Sequence, residues 1–294
     1  MPVAIFDMDG VLYRGAEVLP HAPETLGRLR EAGWQVFFAT NNSTATRDEY
    51  ATRLRRLGLG GDAEHVVTSA YATACHLARL VPSPADVFVL GAEGLRIEIR
   101  DAGVGVRDAL QLPGLEPPDP GSAAGGDPAA MLSYLEDLPL PLTPDAVVVG
   151  LDLGLTYAKL AEAQRGVLAG ALFIASNKYR AYPVRGRVLP GAGSIVRALE
   201  VATGRAALCM GKPEAFLFQE ALRRAGPDPG ACVVIGDAPE YDIVAAHAVG
   251  ATGVLITTGL TDADGARRAT GEAAPDHVIG ALDELFSLPA FAGA

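Results

Sequence analysis

Four short segments place oxygen- and nitrogen-bearing side chains directly behind apolar runs. The first is Asp7-Met8-Asp9-Gly10, behind Val3–Phe6. Residues two apart on an extended chain share a side, so both carboxylates can serve one site, and Gly10 lets the backbone turn closely around a bound group. The second is Thr40-Asn41-Asn42-Ser43-Thr44, behind Phe37-Phe38-Ala39. Lys212 forms the third, in Met210-Gly211-Lys212-Pro213 behind Ala206–Met210, and the fourth is Gly236-Asp237 with Asp242, behind Ala231–Ile235. Taken singly, each has an ordinary explanation. Calcium loops, sugar transferases and surface turns all use Asp-x-Asp, although Val11 stands where an EF-hand needs a third oxygen ligand. The Thr/Asn/Ser run reads as an N-cap for a helix starting near Arg47, and Asp242 as a cap for the helix after it. Yet the hydroxyl and amide groups of the run exceed what one cap needs, and a helix N-terminus also attracts anions.

Together the four groups point to more. In an open parallel sheet, ligands bind outside the carboxyl ends of the strands, so a fold of that kind gathers all four. Carboxylates hold Mg²⁺, a hard ion that is completed by water and substrate phosphate. An ammonium with hydroxyl and amide donors stabilises phosphoryl oxygens. This set is what metal-assisted phosphoryl transfer requires. Lysine usage sharpens the point, because Lys occurs only at 159, 178 and 212, and all other members of the 24 basic residues are Arg.

The elements that must position these groups alternate along the chain. Val3–Phe6, Gln35–Thr40 and Val66–Thr68 read as strands, with a helix over Ala22–Ala32 that ends at Gly33. Ala206–Met210, Ala231–Ile235 and Gly253–Thr257 read as later strands, separated by helices over Glu214–Ala225 and Ile243–Val249. A middle section has its own strands at Asp86–Leu90, Ala146–Gly150 and Leu172–Ala175. Alternating strand and helix imply βαβ units and a parallel sheet with helices on both faces. The Pro/Gly-rich stretch Leu112–Pro144 is expected to be a long surface loop with a short helix near Ala129–Glu136.

Composition fits a globular chain of about two domains: of 294 residues, 49% are hydrophobic and 20% charged, which excludes an extended disordered chain. A net charge of −11 with no Lys/Arg run argues against nucleic acid and anionic membranes as partners. No apolar stretch is long enough for a membrane span, Met1–Phe6 lacks the basic start of a signal peptide, and Cys75, Cys209 and Cys232 form no disulfide or zinc pattern. A cytoplasmic location is expected.

At these motifs the sequence resembles the haloacid dehalogenase superfamily, and more closely its NagD or para-nitrophenyl phosphatase branch. The similarity runs through Phe6–Leu12, Ala39–Ser43, Val148–Asp152 with Tyr157 and Lys159-Leu160, Pro190–Ser194, Gly211-Lys212-Pro213 and Gly236-Asp237 with Asp242. It implies a Rossmann-like doubly wound parallel sheet core with an inserted α/β cap domain. Spacing places the insertion, since Asp9 and Thr40 leave room for one helix and one strand, whereas Thr40 and Lys212 stand roughly 170 residues apart, far beyond one βαβ unit. The expected division is core 1–71, cap 72–187 and core 188–294.

The resemblance implies a Mg²⁺-dependent phosphatase that hydrolyses small phosphomonoesters through an aspartyl-phosphate, with Asp7 as nucleophile and Asp9 as acid and base. Asp7, Asp9 (through its backbone carbonyl), Asp237 and Asp242 are the expected metal site. Gly10, Thr40, Asn41 and Lys212 are expected at the phosphoryl group, and Asn177, with Tyr179 and Arg180, at the leaving group. A phosphotransferase or mutase on the same core, and a non-catalytic ligand-binding protein, are the alternatives. The partner is then a small phosphorylated metabolite, and a homo-oligomer through the cap is expected. Lys178, Arg180, Arg185 and Arg187 point to a second anionic group on the substrate. The chain departs from the family pattern at Ala238 and Tyr241, and where Asn177-Lys178-Tyr179-Arg180 replaces an Asn-Pro-Asp run.

Overall fold

The computed structural model describes residues 1–80, 82–107, 128–137, 143–184, 187–226 and 230–291. They form two compact units, Met1–Ala72 with Cys209–Ala294, and Thr73–Leu208. Both are α/β, as expected.

In the first unit six parallel strands lie in the order Val66–Thr68, Gln35–Thr40, Val3–Asp7, Cys232–Gly236, Thr252–Ile256, His277–Ile279. Numbered along the unit this is 3-2-1-4-5-6, the doubly wound order, whose direction reverses between Val3–Asp7 and Cys232–Gly236. The two strands at the reversal are continuous apolar runs because both faces of a parallel sheet are covered, and Val3–Phe6 and Val233–Ile235 are fully buried. Register sets the next step. Asp7 pairs with Ala39 on one side and Phe6 with Ile235 on the other, so Asp7, Thr40 and Asp237 all lie at the same end of adjacent strands. Met8, Val11, Leu12 and Tyr13 are buried in the core, which pins the loop that carries Asp9 and Gly10.

The helix near Arg47 runs over Arg47–Arg56, and its cap is Thr46. Thr46 Oγ1 accepts from the Glu49 N–H at 3.2 Å, and Glu49 Oε2 accepts from the Thr46 N–H at 2.7 Å. This reciprocal pair satisfies the helix end. The capping explanation of Thr40–Thr44 is thereby corrected, because the capping work is done further along the chain.

The second unit is one continuous segment. Its five-stranded sheet has the order Val106–Arg107, Val87–Leu90, Ala146–Val149, Leu172–Ala175, Leu208–Cys209, or 2-1-3-4-5, the other common doubly wound arrangement. Ala181–Val184 and Arg187–Pro190 form an antiparallel hairpin. One expectation is corrected here. Within Ala206–Met210 only Leu208–Cys209 is a strand, and it extends this second sheet instead of the first. Helix Ala192–Thr203 packs within this unit, burying Ile195, Val196 and Leu199 in one cluster with Phe88, Val147, Val167 and Phe173. The short helix expected near Ala129–Glu136 spans Pro128–Asp137, while the rest of Leu112–Pro144 up to 142 lies outside the described residues, as does Arg185. Among the described residues no helix is long and apolar enough to cross a membrane.

Candidate active site

The first unit brings one ammonium and three carboxylates together. Lys212 is 1% exposed, and its Nζ donates to Asp7 Oδ1 at 2.8 Å and to Asp242 Oδ1 at 2.6 Å. Carboxylate oxygens of Asp7, Asp237 and Asp242 lie within 4.8 Å of one another. Asp242 Oδ2 accepts from the Ala238 N–H at 3.1 Å, inside the π-type turn Pro239–Ile243. Asp242 therefore holds Lys212 and the turn, and is not the cap of the next helix. Ala238 contributes to the site through its backbone N–H.

Asp237 is seated by a loop that the sequence reading passed over. The Leu260 N–H donates to Asp237 Oδ2 at 2.8 Å, and Thr258 Oγ1 donates to the Gly10 carbonyl at 2.8 Å. Gly10 has φ 84°, a conformation that L side chains rarely adopt, and a Cβ on Gly10 or Gly259 would overlap the Asp237 carboxylate. Thr257-Thr258-Gly259 follows Thr252–Ile256, so it is a fifth polar strand end, and the rule that flagged the other four applies to it equally.

Comparison with known proteins supplies the lineage. The family model for haloacid dehalogenase-like hydrolases matches residues 4–105, and a second, HAD-hydrolase-like, matches 209–285. Glycerol-3-phosphate phosphatase of Gallus gallus is 35% identical, with 97% of this chain and 90% of that protein covered. Human chronophin is 38% identical, with 87% and 81% covered. The chain belongs to the haloacid dehalogenase-like hydrolases. Among solved structures, p-nitrophenyl phosphatase from Archaeoglobus fulgidus is 30% identical with a TM-score of 0.79, covering 97% of this chain and 98% of its own. Glycerol phosphate phosphatase from Mycobacterium tuberculosis, in complex with magnesium, is 32% identical with a TM-score of 0.79, covering 96% and 75%. These relatives bear out the p-nitrophenyl phosphatase branch.

In this haloacid dehalogenase-like hydrolase Asp7 and Asp237 titrate high. Burial pushes Asp7 up to about 6, with Lys212 opposing and Asp242 assisting. Burial, then the charges of Asp7 and Asp242, push Asp237 up to about 8. Burial works against the Lys212 ammonium, but Asp242 and Asp7 outweigh it and hold its pKa above the usual lysine value. Asp9 stands outside the three-carboxylate group. Its side chain is partly in solvent, yet the surrounding protein raises its pKa against the pull of Arg53 and the Gly15 N–H. Arg53 itself donates to the Gly15 carbonyl at 2.6 Å and lies 4.4 Å from the Tyr13 ring centroid, bracing this turn.

Thr40 ends its strand next to Asp7, and its Oγ1 accepts from the Asn42 N–H at 3.2 Å. Asn41, expected at the phosphoryl group, uses its side chain on Lys212. Its amide bonds both backbone polar groups of Lys212, which lie outside any strand and need partners. Asn177 belongs to the second unit, where it is buried and its Oδ1 accepts from the Tyr179 N–H at 3.2 Å, a local turn. Lys178, assigned above to a second anionic group, donates to Glu200 Oε1 and to the Ala207 carbonyl, both at 2.8 Å, so its charge is matched inside its own unit.

The seat of Asp237 gives a sharp test. Gly259→Ala is expected to lower metal-dependent turnover ~100-fold, the usual scale for displacing a reacting group by about 1 Å, with the fold retained by circular dichroism. Wild-type turnover in that variant would show that the Asp237 carboxylate need not sit against residue 259.

Proposed function

We propose that this hydrolase is a Mg²⁺-dependent phosphatase that cleaves small phosphomonoesters through an aspartyl-phosphate on Asp7. The observation that carries the reading is the cluster itself: Asp7, at the point where the sheet order reverses, held by a buried Lys212 beside two further carboxylates. Relatives that bear the names of phosphatases support it.

The donor set suits the metal. Three buried carboxylates, crowded enough to raise Asp7 and Asp237, are an all-oxygen site with surplus negative charge, which fits a hard divalent cation. Asp7, Asp237 and the Asp9 backbone carbonyl would hold Mg²⁺, with Asp242 ordering the surrounding turn. When bound, the ion offsets charge on the carboxylates and on the phosphoryl oxygens. In the first step an Asp7 oxygen bonds phosphorus as the ester P–O bond breaks, and Asp9 gives its proton to the departing oxygen. The raised pKa of Asp9 keeps that proton available. In the second step water bonds phosphorus, Asp9 takes the water's proton, and Asp7 leaves as carboxylate. Lys212 holds Asp7 by Oδ1 throughout and stabilises the phosphoryl oxygens.

The test uses p-nitrophenyl phosphate and glycerol 3-phosphate with Mg²⁺, scoring alcohol and phosphate separately with and without added glycerol. Equal release is expected. Alcohol in excess of phosphate, with phosphate recovered on the acceptor, would establish a phosphotransferase; no turnover on either ester would establish a binding protein.

Metal removal has a pH signature. Asp7 and Asp237 have folded pKa values above the ordinary 3.8, so the folded state holds more protons than the unfolded one between that value and about 8. Without metal, stability is fully present below the unfolded value and falls as pH rises through about 6 and about 8. EDTA is therefore expected to lower the thermal midpoint more at pH 8 than at pH 5. An EDTA effect equal at both pH values would contradict a metal held by these carboxylates.

A further inference from the structure

We infer that Asn41 is a positioning residue whose side chain sets Lys212 in place by a two-bond clamp on the lysine backbone. The inference deepens the proposed function, since it rests on Lys212 being the cation at Asp7.

Lys212 lies between regular elements, inside a turn that the Glu214 N–H closes on the Gly211 carbonyl at 3.0 Å. The strand Leu208–Cys209 has ended, the helix Phe216–Ala225 has not begun, and the neighbours are Gly211 and Pro213. Its backbone is buried, so both polar groups need partners. One side chain supplies both. Asn41 Oδ1 accepts from the Lys212 N–H at 2.7 Å, and Asn41 Nδ2 donates to the Lys212 carbonyl at 2.9 Å, across 171 positions of sequence. A carboxamide offers an acceptor and a donor in one plane, the pairing that a single residue's N–H and C=O present.

Asn41 is itself fixed. It follows Thr40 at the end of a central strand, and its own carbonyl accepts from Ser69 Oγ at 2.6 Å. Ser69 comes just before the chain leaves the first unit after Ala72, and Lys212 just after it returns at Cys209. Both passages of the chain are thus bonded to one residue beside Asp7. The neighbouring Asn42 does a different job, its Oδ1 accepting from the N–H and hydroxyl of Thr44 at 2.8 and 2.7 Å. Of the two adjacent asparagines, one shapes the loop and the other reaches Lys212.

The rarity of lysine makes the clamp directly observable. Labelling with [¹⁵N]lysine gives backbone amide signals from positions 159, 178 and 212 alone, and Lys212→Arg identifies the third. In Asn41→Ala the Lys212 amide is expected to shift and to exchange with solvent at least ~10-fold faster, while the signals of Lys159 and Lys178 stay put. The kcat for p-nitrophenyl phosphate is expected to fall ~10- to 100-fold. Asn41→Asp keeps the shape and the acceptor but loses the donor to the Lys212 carbonyl, so it repeats the measurement if the alanine variant does not fold. An unmoved Lys212 amide with reduced turnover would overturn the clamp in favour of direct contact with the phosphoryl group. A shifted amide with unchanged kcat would overturn the positioning role. The amide measurement needs no substrate, so a chain without phosphatase activity would refute the proposed function while leaving the clamp test readable.

Discussion

Asp7→Asn is expected to abolish turnover while leaving the fold intact or slightly stabilised. The amide has the shape of the carboxylate but is not a nucleophile toward phosphorus, and losing a covalent nucleophile costs ~10⁴-fold or more in kcat. Stability moves the other way. Asp7 is buried beside Asp242 and Asp237, and its pKa is raised by that burial, so its charge is unfavourable in the metal-free fold. Lys212 keeps Asp242 at 2.6 Å when the Asp7 charge is gone. Steady-state rates on p-nitrophenyl phosphate and a thermal melt read the two halves. Turnover within tenfold of wild type would remove Asp7 from the chemistry.

Lys212→Met is expected to be the most destabilising single change in the first unit. Methionine matches the length of the stem but leaves Asp7 and Asp242 buried with no cation between them. Removing one partner of a buried ion pair costs about 3–5 kcal/mol, because the other charge stays uncompensated. The loss should depend on pH in a definite direction. Protonated Asp7 and Asp237 do not need the ammonium, so the deficit grows as pH rises through their raised folded values of about 6 and about 8. Urea unfolding of wild type and variant in EDTA at pH 5 and pH 8 measures it. A deficit that is the same at both pH values would mean that Lys212 is held by packing and not by these charges.

Much of this site was legible because three of its parts sit at the ends of apolar strands. Asp7, Thr40 and Asp237 follow runs whose burial on both faces leaves an unbroken hydrophobic pattern, and the sheet order carries them to one edge. Lysine scarcity was equally informative. Lys159 bonds Asp152 at 3.0 Å, Lys178 bonds Glu200 and Lys212 bonds Asp7 and Asp242, so every lysine in the chain anchors a particular carboxylate. What stayed hidden depends on contacts between distant segments or on strands too short to show a period. The clamp from Asn41 to Lys212 leaves no local mark in either segment. Leu208–Cys209 has two residues, too few to reveal which sheet it joins. Leu260 and Gly259 support Asp237 through a backbone N–H and the absence of a side chain, neither of which residue chemistry announces.

The central claim is that phosphorus is bonded to Asp7 during turnover. Mixing enzyme, Mg²⁺ and p-nitrophenyl phosphate, quenching with acid within one turnover and mapping peptides by mass spectrometry tests it directly. The account predicts one phosphoryl group on the peptide that contains Asp7, lost on longer incubation as phosphate appears and absent from Asp7→Asn. A phosphoryl group on any other residue, or phosphate released in the first turnover with no phosphorylated enzyme while Asp7→Asn keeps its rate, would contradict it.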